Sequence, residues 1–288
     1  MHHRGAFPVE KMCRAFKVSK SGFYHWLHGK PSKRWKENES LLIDIQKVFE
    51  QSFGTYGSPR VRVELLKRGF QVSRPRVARI MRSAELRASK PRKFKVTTDS
   101  RHKYPIAPNL LNRQFKVQRY NQVWVSDITY IRTSQGWMYL TVIIDLFDRK
   151  VVGWAMSDDL KAENTIVPAW KMAVINSPIS QQLTFHSDRG IQYACDAFTK
   201  ILKSYQGLVS QSMSRKGNCW DNAVAESFFK TLKTEWVYKY NYQRREHAQL
   251  SIFQYIETWY NRKRRHSTLN YLSIEEFELL TNKQLLAA

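Results

Sequence analysis

Acidic residues are scarce in this chain. Across 288 residues, 24 Asp and Glu stand against 48 Lys and Arg, a formal net charge of +24. That excess points to a polyanion, most simply nucleic acid. Cysteine is nearly absent: Cys13, Cys195 and Cys219 are odd in number, far apart and include no CxxC pair. A disulfide framework or zinc knuckle is therefore not expected, and a reducing cytosol fits best. No run of about 18 apolar residues occurs, so no membrane span is expected, and no signal-peptide pattern is seen. Internal repeats, low-complexity tracts and a heptad run are missing too. What the chain does have is 42% apolar and 13% aromatic residues, enough for packed cores in about two domains.

The cations are unevenly placed. Between Ser58 and Lys103 there are 15 Lys or Arg against 3 Asp or Glu. MCRAFKVSKSGFYHWLHG (12–29) reads as helix, turn, helix, with Val18-Ser19 supplying turn and cap. A longer helix is predicted over 37–50. In SPRVRVELLKRGFQVSRPRVARIMRSAEL (58–86), Pro59 opens one helix, Gly69 ends it and Ser73 caps the next. Val77, Ile80 and Met81 form an apolar stripe on that second helix, and Arg74, Arg76, Arg79 and Arg82 take the other side. Two readings follow: a helix-turn-helix set against DNA, or a solvated basic face. Residues 88–118, rich in cations and holding three prolines, read as a linker.

From Asn121 the pattern becomes strand-like. VWVSDITYI (123–131), WMYLTVIID (137–145) and KVVGWAM (150–156) are predicted strands joined by short turns, an antiparallel meander. A helix over 161–176 follows, with Pro168 inside it as a kink. Then come a strand at 182–186, a helix near 195–205, a strand near 208–212, a strongly helical stretch from Asp221 to Val237 and a helix over 245–262.

Three carboxylates stand out. Asp127 lies mid-strand among Val123, Val125, Ile128 and Ile131, where an unpaired charge costs several kcal/mol unless a cation offsets it. Asp188, in TFHSDRG, lies just past a strand end. Glu226 lies one turn into a helix, and the spacing i, i+4, i+7 sets Lys230 and Lys233 on its side. If the three converge, they can hold two Mg²⁺ or Mn²⁺ ions roughly 4 Å apart for work on a phosphodiester, with Lys230 and Lys233 gripping phosphates. Singly each has a plain reading: Glu226–Lys230 as a surface pair, Asp188 as a turn residue, Asp127 as the partner of a buried arginine. Asp145 and Asp148 read as turn and strand-end residues, and His186 as a packing group.

The runs NQVWVSDITYI, GWMYLTVIIDLFDRKVVGWAMS, HSDRGIQYA, SMSRKGNCWDNAVAESFFKTLKTE and YNRKRRHSTLNYLSIEEF, with GTYGSPRV and VSRPRVARIMR upstream, cover nearly the whole chain. Together they resemble the second-frame (OrfB) transposase of the insertion-sequence-three family of bacterial transposons. The resemblance implies an α/β ribonuclease H-like catalytic core, kin to retroviral integrases, preceded by an all-α helix-turn-helix region. It implies four parts: a helical DNA-binding region at 1–87, a basic linker at 88–118, the catalytic core at 119–240 and a C-terminal helical extension at 241–288. By the same resemblance Asp127, Asp188 and Glu226 are the catalytic and metal-binding triad, and Lys230 and Lys233 contact the transposon end. The expected reaction is Mg²⁺- or Mn²⁺-dependent strand cleavage and strand transfer at the ends of an insertion sequence. Expected partners are the terminal inverted repeats, target DNA, further copies of the chain on paired ends and an upstream-frame (OrfA) product. The expected location is the nucleoid of a bacterial cytoplasm. The alternatives are a DNA-binding regulator, a structure-specific nuclease, or an accessory subunit that needs the upstream-frame partner. Two departures from the family pattern are local: 37 residues separate Asp188 from Glu226, the surplus falling around 203–210, and Ile274 stands where proline is usual.

Overall fold

The computed structural model describes residues 7–28, 31–89 and 103–287. The N-terminal helices are α1 (Val9–Ala15), α2 (Lys20–His28), α3 (Lys33–Gln51), α4 (Ser58–Lys67) and α5 (Arg74–Ser83). Their boundaries follow the sequence signals. The Ser19 hydroxyl accepts from the Gly22 amide at 2.9 Å, and Ser73 caps α5 through the Arg76 amide at 3.4 Å. Pro59 sits in the first turn of α4, where its missing N–H leaves no gap. Gly69, at φ +87°, turns the chain out of that helix in a conformation that favours glycine. Leu41, Ile45 and Val48 of α3 are buried, as are Val61 and Leu65 of α4 and Val77, Ile80 and Met81 of α5.

A five-stranded sheet with order β3-β2-β1-β4-β5 forms the centre of the described residues. The strands are β1 (Val123–Thr133), β2 (Gly136–Asp145), β3 (Val151–Ser157), β4 (Leu183–Ser187) and β5 (Val209–Met213). β1, β2 and β3 pair antiparallel, the predicted meander, whereas β4 and β5 add on parallel to β1. Strand alternation splits the core into two layers. Val123, Val125, Val142 and Ile144 face one way, toward α9 (Ala223–Glu235) and α10 (Arg245–Phe253). Trp124, Ile143 and Val152 face the other, toward α6 (Ile166–Asn176) and α8 (Asp196–Lys203). The one-turn helix α7 (Ile191–Ala194) links β4 to α8.

Pro168 does not kink its helix. α6 begins at Ile166, so Pro168 falls in the first turn, where backbone amides have no helical acceptor anyway. At Gly153 of β3, a Cβ would lie 2.2 Å from the Ala169 carbonyl, so glycine is what lets α6 lie directly on the sheet.

Two stretches differ from the sequence expectation. Residues 90–102 of the predicted linker lie outside the described residues, but 103–118 are laid against the core. There Leu111 is buried, the Leu110 and Leu111 amides donate to the Ser212 hydroxyl at 2.9 and 3.3 Å, and the Met213 amide donates to the Pro108 carbonyl. A short segment of low periodicity can be held this way by single backbone bonds, which composition does not reveal. Likewise, the helix predicted over 245–262 closes as α10 and continues as a wider π-type turn over Gln254–Tyr260. Trp259 and Tyr260 of this turn are buried in the core. Beyond it, α11 (Ile274–Ala287) returns toward the helical part.

The helical part and the sheet share one apolar cluster that runs from Leu41 to Ile274. An ion-pair lattice crosses the same boundary. Glu235, at the end of α9, takes Arg264 through two bonds of 2.7 Å, Arg60 of α4 at 3.4 Å and the Tyr255 hydroxyl at 3.1 Å. Arg265 reaches Glu64 of α4 at 2.6 Å and also pairs with Glu276. Burial raises the proton affinity of the Glu235 carboxyl, but Arg264 and Arg60 outweigh it and hold the group below its ordinary range.

Candidate active site

Asp127 belongs to β1, and strand parity puts it on the face that α9 covers, with Val123 and Val125. The parallel pairing of β1 with β4 ends at Ser126 opposite Ser187. One residue further, Asp127 and Asp188 stand just beyond the β1–β4 pairing, near enough for the charge of Asp188 to act on Asp127. The parallel register, which the short apolar runs do not specify, thus joins two carboxylates 61 positions apart in sequence. Past the strand end, the Asp188 Oδ1 accepts from the Gly190 amide at 2.9 Å. Asp127 Oδ1 accepts from the Ile128 amide at 2.8 Å.

Glu226 arrives on α9. Its helix is positioned by Asn222, whose side-chain amide donates to the Ser126 carbonyl at 3.0 Å, next to Asp127. The same serine holds the chain that follows Asp188: its hydroxyl donates to the Val142 carbonyl at 2.8 Å and meets the Tyr193 hydroxyl at 2.9 Å. Ser126 is thereby the common anchor of the three segments that carry the three carboxylates.

The electrostatics follow from that crowding. Burial, then Asp188, then Glu226 push the Asp127 carboxyl well above the usual carboxylate range, against the Ile128 N–H and the Lys233 ammonium. Partial burial and Asp188 push Glu226 up as well. Burial lowers Lys233, while Asp127 draws it back up. Like charges repel, and among the described residues no group of three His, Cys, Asp or Glu side chains stands close enough together to hold a metal ion. The expected convergence is therefore one of overlapping fields and neighbouring elements, not of touching side chains.

Lys230 is exposed on α9, and Lys233 is half-buried on the side toward Asp127. On α5, Arg74, Arg79 and Arg82 are exposed. Arg76 is turned back to α3, with its Nε donating to Asn38 at 2.9 Å and its Nη2 to Glu37 at 3.2 Å. His186 is buried between the hydroxyls of Ser212 (2.8 Å) and Ser214 (3.2 Å), and burial lowers its pKa to about 4. Asp145 accepts from the amides of Asn121 and Phe147, and Asp148 from that of Lys150, so both stiffen the turn after β2.

Sequence reasoning missed Asp221, which is fully buried. Its two oxygens accept from Arg215 (backbone N, Nε and Nη2), Arg113 (Nε) and Asn109 (Nδ2), at 2.8–2.9 Å. Hydrogen bonds from Arg215 outweigh burial and hold it far below the usual carboxylate range. This knot fastens the 103–118 segment to the loop before α9. The NCWDN run was its only signal, and one acidic residue amid so many cations does not say which of them it binds.

The family matches define a class, the integrase-core polynucleotidyl transferases. An Integrase core domain model matches residues 117–219 and a second Integrase core domain model matches 208–273; an HTH-like domain model matches 36–94. The chain is 38% identical over 285 residues to "Transposase InsF for insertion sequence IS3A" of Escherichia coli strain K12, covering 98% of this chain and 97% of that protein. It is 42% identical to "Insertion element IS600 uncharacterized 31 kDa protein" of Shigella sonnei over 266 residues, 92% of this chain and 97% of that one. The chain belongs to the insertion-sequence-three family of transposases. Its distant likenesses among solved structures include the HTLV-2 integrase catalytic core domain in complex with magnesium, at TM-score 0.40 and 16% identity over 55% of this chain and 96% of that one. The catalytic core domain of BIV integrase superposes at TM-score 0.41 with 15% identity, over 58% of this chain and 99% of that one.

Proposed function

We propose that Asp127, Asp188 and Glu226 are the catalytic carboxylates of this transposase. In this reading they serve hydrolytic nicking at the element's end and then transfer of the freed 3′-hydroxyl. The first transfer joins the two ends of the same element into a circle, which later inserts into target DNA. The observation that carries this is the parallel β1–β4 register, which sets Asp127 beside Asp188 at a strand end, with Glu226 delivered by a helix anchored to the same strand.

The donor chemistry fits divalent cations. All three groups offer oxygen, which Mg²⁺ and Mn²⁺ prefer. Burial and the neighbouring Asp188 and Glu226 raise the proton affinity of Asp127, and Lys233 offsets this only in part. Bound at these three residues, two such ions would supply charge neutralisation and activation of the attacking oxygen. Asp127 and Asp188, on the rigid strand pair, fix the site relative to the sheet, and Glu226 closes it from α9. This also accounts for a glutamate on a lysine-bearing helix: it faces the carboxylates, while Lys230 faces solvent.

In the same proposal residues 1–87 bind DNA through Arg74, Arg79 and Arg82, with Arg76 stiffening α5 against α3. Residues 88–118 join this part to the core at 119–240, and 241–288 brace the two. Phosphates lie along Lys230 and Lys233, so DNA affinity should fall steeply with salt. Lys230→Ala with Lys233→Ala should weaken binding of end DNA and lower the slope of log affinity against log salt by about 2. An unchanged slope in a salt titration by fluorescence anisotropy would remove both lysines from the phosphate path. Paired-end synapsis by several copies of the chain, with or without an upstream-frame (OrfA) product, completes the reading.

The test is a joining reaction on a supercoiled plasmid that carries the DNA bordering the gene, with Mg²⁺ or Mn²⁺. Metal-dependent nicking and end joining are expected, with neither in Glu226→Gln. If the purified chain binds this DNA without chemistry, and adding the upstream-frame product does not restore it, the reading fails and a DNA-binding regulator takes its place.

A further inference from the structure

Trp220 is 69% exposed. A large indole left in water is unusual enough to ask what covers it. It has no ring or hydrogen-bond partner among the described residues. Yet it is not on a loose loop. It lies in the single tight turn Cys219–Asn222 that leads into α9. The next residue, Asp221, is fully buried in its cage of five donated hydrogen bonds. The one after, Asn222, is bonded to the Ser126 carbonyl, adjacent to Asp127. The backbone on the C-terminal side of Trp220 is thus tied down twice within two residues, with both neighbours pointing inward. The indole projects into solvent from a tied backbone, in the turn that leads into the helix carrying Glu226.

The groups around it are cationic. The side chains of Arg113 and Arg215 are 45% and 49% exposed, although each also binds Asp221. Two guanidiniums against one carboxylate leave this turn net positive. Lys216 is exposed in the same loop. A planar aromatic face near guanidiniums with a net excess of positive charge is the chemistry that receives one nucleotide of an unpaired strand, with the base stacked on the ring and the phosphate on the cations. A base kept inside a duplex offers no free face, so this platform suits a nucleotide already out of the stack.

We propose that Trp220, with Arg113 and Arg215, forms a seat for an unstacked nucleotide of the substrate DNA, immediately beside the phosphodiester that is attacked. This deepens the transposase reading and rests on it for the identity of the strand. The seat would hold the DNA end open and in register with Asp127, Asp188 and Glu226. Trp220 acts by positioning: it touches the substrate but takes no part in proton or phosphoryl transfer.

The probes are two oligonucleotide duplexes of the DNA bordering the gene, one fully paired and one with three noncomplementary nucleotides at the cleavage position. Binding by the full chain is read by anisotropy for wild type, Trp220→Ala and Trp220→Phe. Wild type should prefer the duplex with unpaired nucleotides. Trp220→Ala should lose about tenfold in affinity for that duplex while binding the paired one as before, and Trp220→Phe should recover most of the loss. Because the side chain lies in water, all three proteins should melt at the same temperature. Equal affinity of Trp220→Ala and wild type for the unpaired duplex, or an equal loss on both duplexes, would overturn the proposal. The two readings separate cleanly. If wild type cleaves with metal and Trp220→Ala binds both duplexes normally, the seat fails and the transposase reading stands. If the Trp220-dependent preference appears without any metal-dependent cleavage, even after the upstream-frame product is added, the seat stands and the catalytic reading fails.

Discussion

Asp127→Asn is expected to abolish end cleavage and joining and, in metal-free buffer, to make the protein more stable. The two effects have one origin. Asp127 is set on the sheet face beneath α9, near two other acids, and receives one amide bond and part of the field of Lys233. Its charge is held there for work that folding does not reward. Removing it at constant shape relieves the desolvation and repulsion, a gain of about 1–3 kcal/mol. The pH dependence has a definite sign. A carboxyl that titrates higher in the folded chain than in the unfolded one binds its proton more tightly when folded. Its cost to stability is absent below the ordinary carboxylate range and grows as pH rises toward the raised value. The stabilisation by Asp127→Asn should therefore vanish near pH 3 and grow as pH rises above the ordinary carboxylate range. Activity should move the other way. If the carboxylates hold the ions, losing one should cost several kcal/mol at the transition state, about 10³-fold or more in rate. Adding Mg²⁺ or Mn²⁺ should raise the melting temperature of wild type and leave that of Asp127→Asn unmoved. Melting curves with and without metal at two pH values decide this. A variant that melts lower than wild type in metal-free buffer, or that joins DNA ends at a normal rate, defeats the account.

The elements around this site were legible in the sequence to within two residues for each strand. The reason is physical: β1, β2 and β3 are apolar runs punctuated by turns, and period-2 patterning with β-branched residues has few other solutions. The parallel attachment of β4 and β5 was not legible, because a short buried run does not reveal its neighbour. That attachment is what brings Asp188 to Asp127. The resemblance to known transposases named both residues without showing how they meet. That residues 103–118 lie against the core was not legible for a related reason. Leu111 and the amides of Leu110 and Leu111 are ordinary in sequence, and only the Ser212 hydroxyl on β5 gives them a destination. Among the basic residues the sequence could not sort structural from free. Arg60, Arg76, Arg264 and Arg265 are all engaged within the fold. Arg74, Arg79 and Arg82 remain exposed.

That sorting leads to the other large effect, at Glu235. Nothing in FFKTLKTEW marks this glutamate, which reads as one more polar position at a helix end. In the fold it is buried and pairs with the equally buried Arg264. Glu235→Ala would leave that guanidinium without its two 2.7 Å bonds and release Arg60 of α4 from the core. Breaking a buried pair by removing one partner costs about 3–5 kcal/mol, because the remaining charge stays desolvated. The melting temperature should fall by about 10 °C. Glu235→Gln keeps the shape and one acceptor, so it should lose less. The position of Glu235 sharpens the consequence. It ends the helix that carries Glu226, Lys230 and Lys233, and it grips a helix of the N-terminal helical part through Arg60. Loss of the carboxylate should therefore loosen the helical part against the sheet before the sheet itself unfolds. Limited proteolysis should cut Glu235→Ala between the helical part and the core at temperatures where wild type resists. Should Glu235→Ala melt with wild type and resist protease equally, the carboxylate is not what holds α4 to the catalytic core.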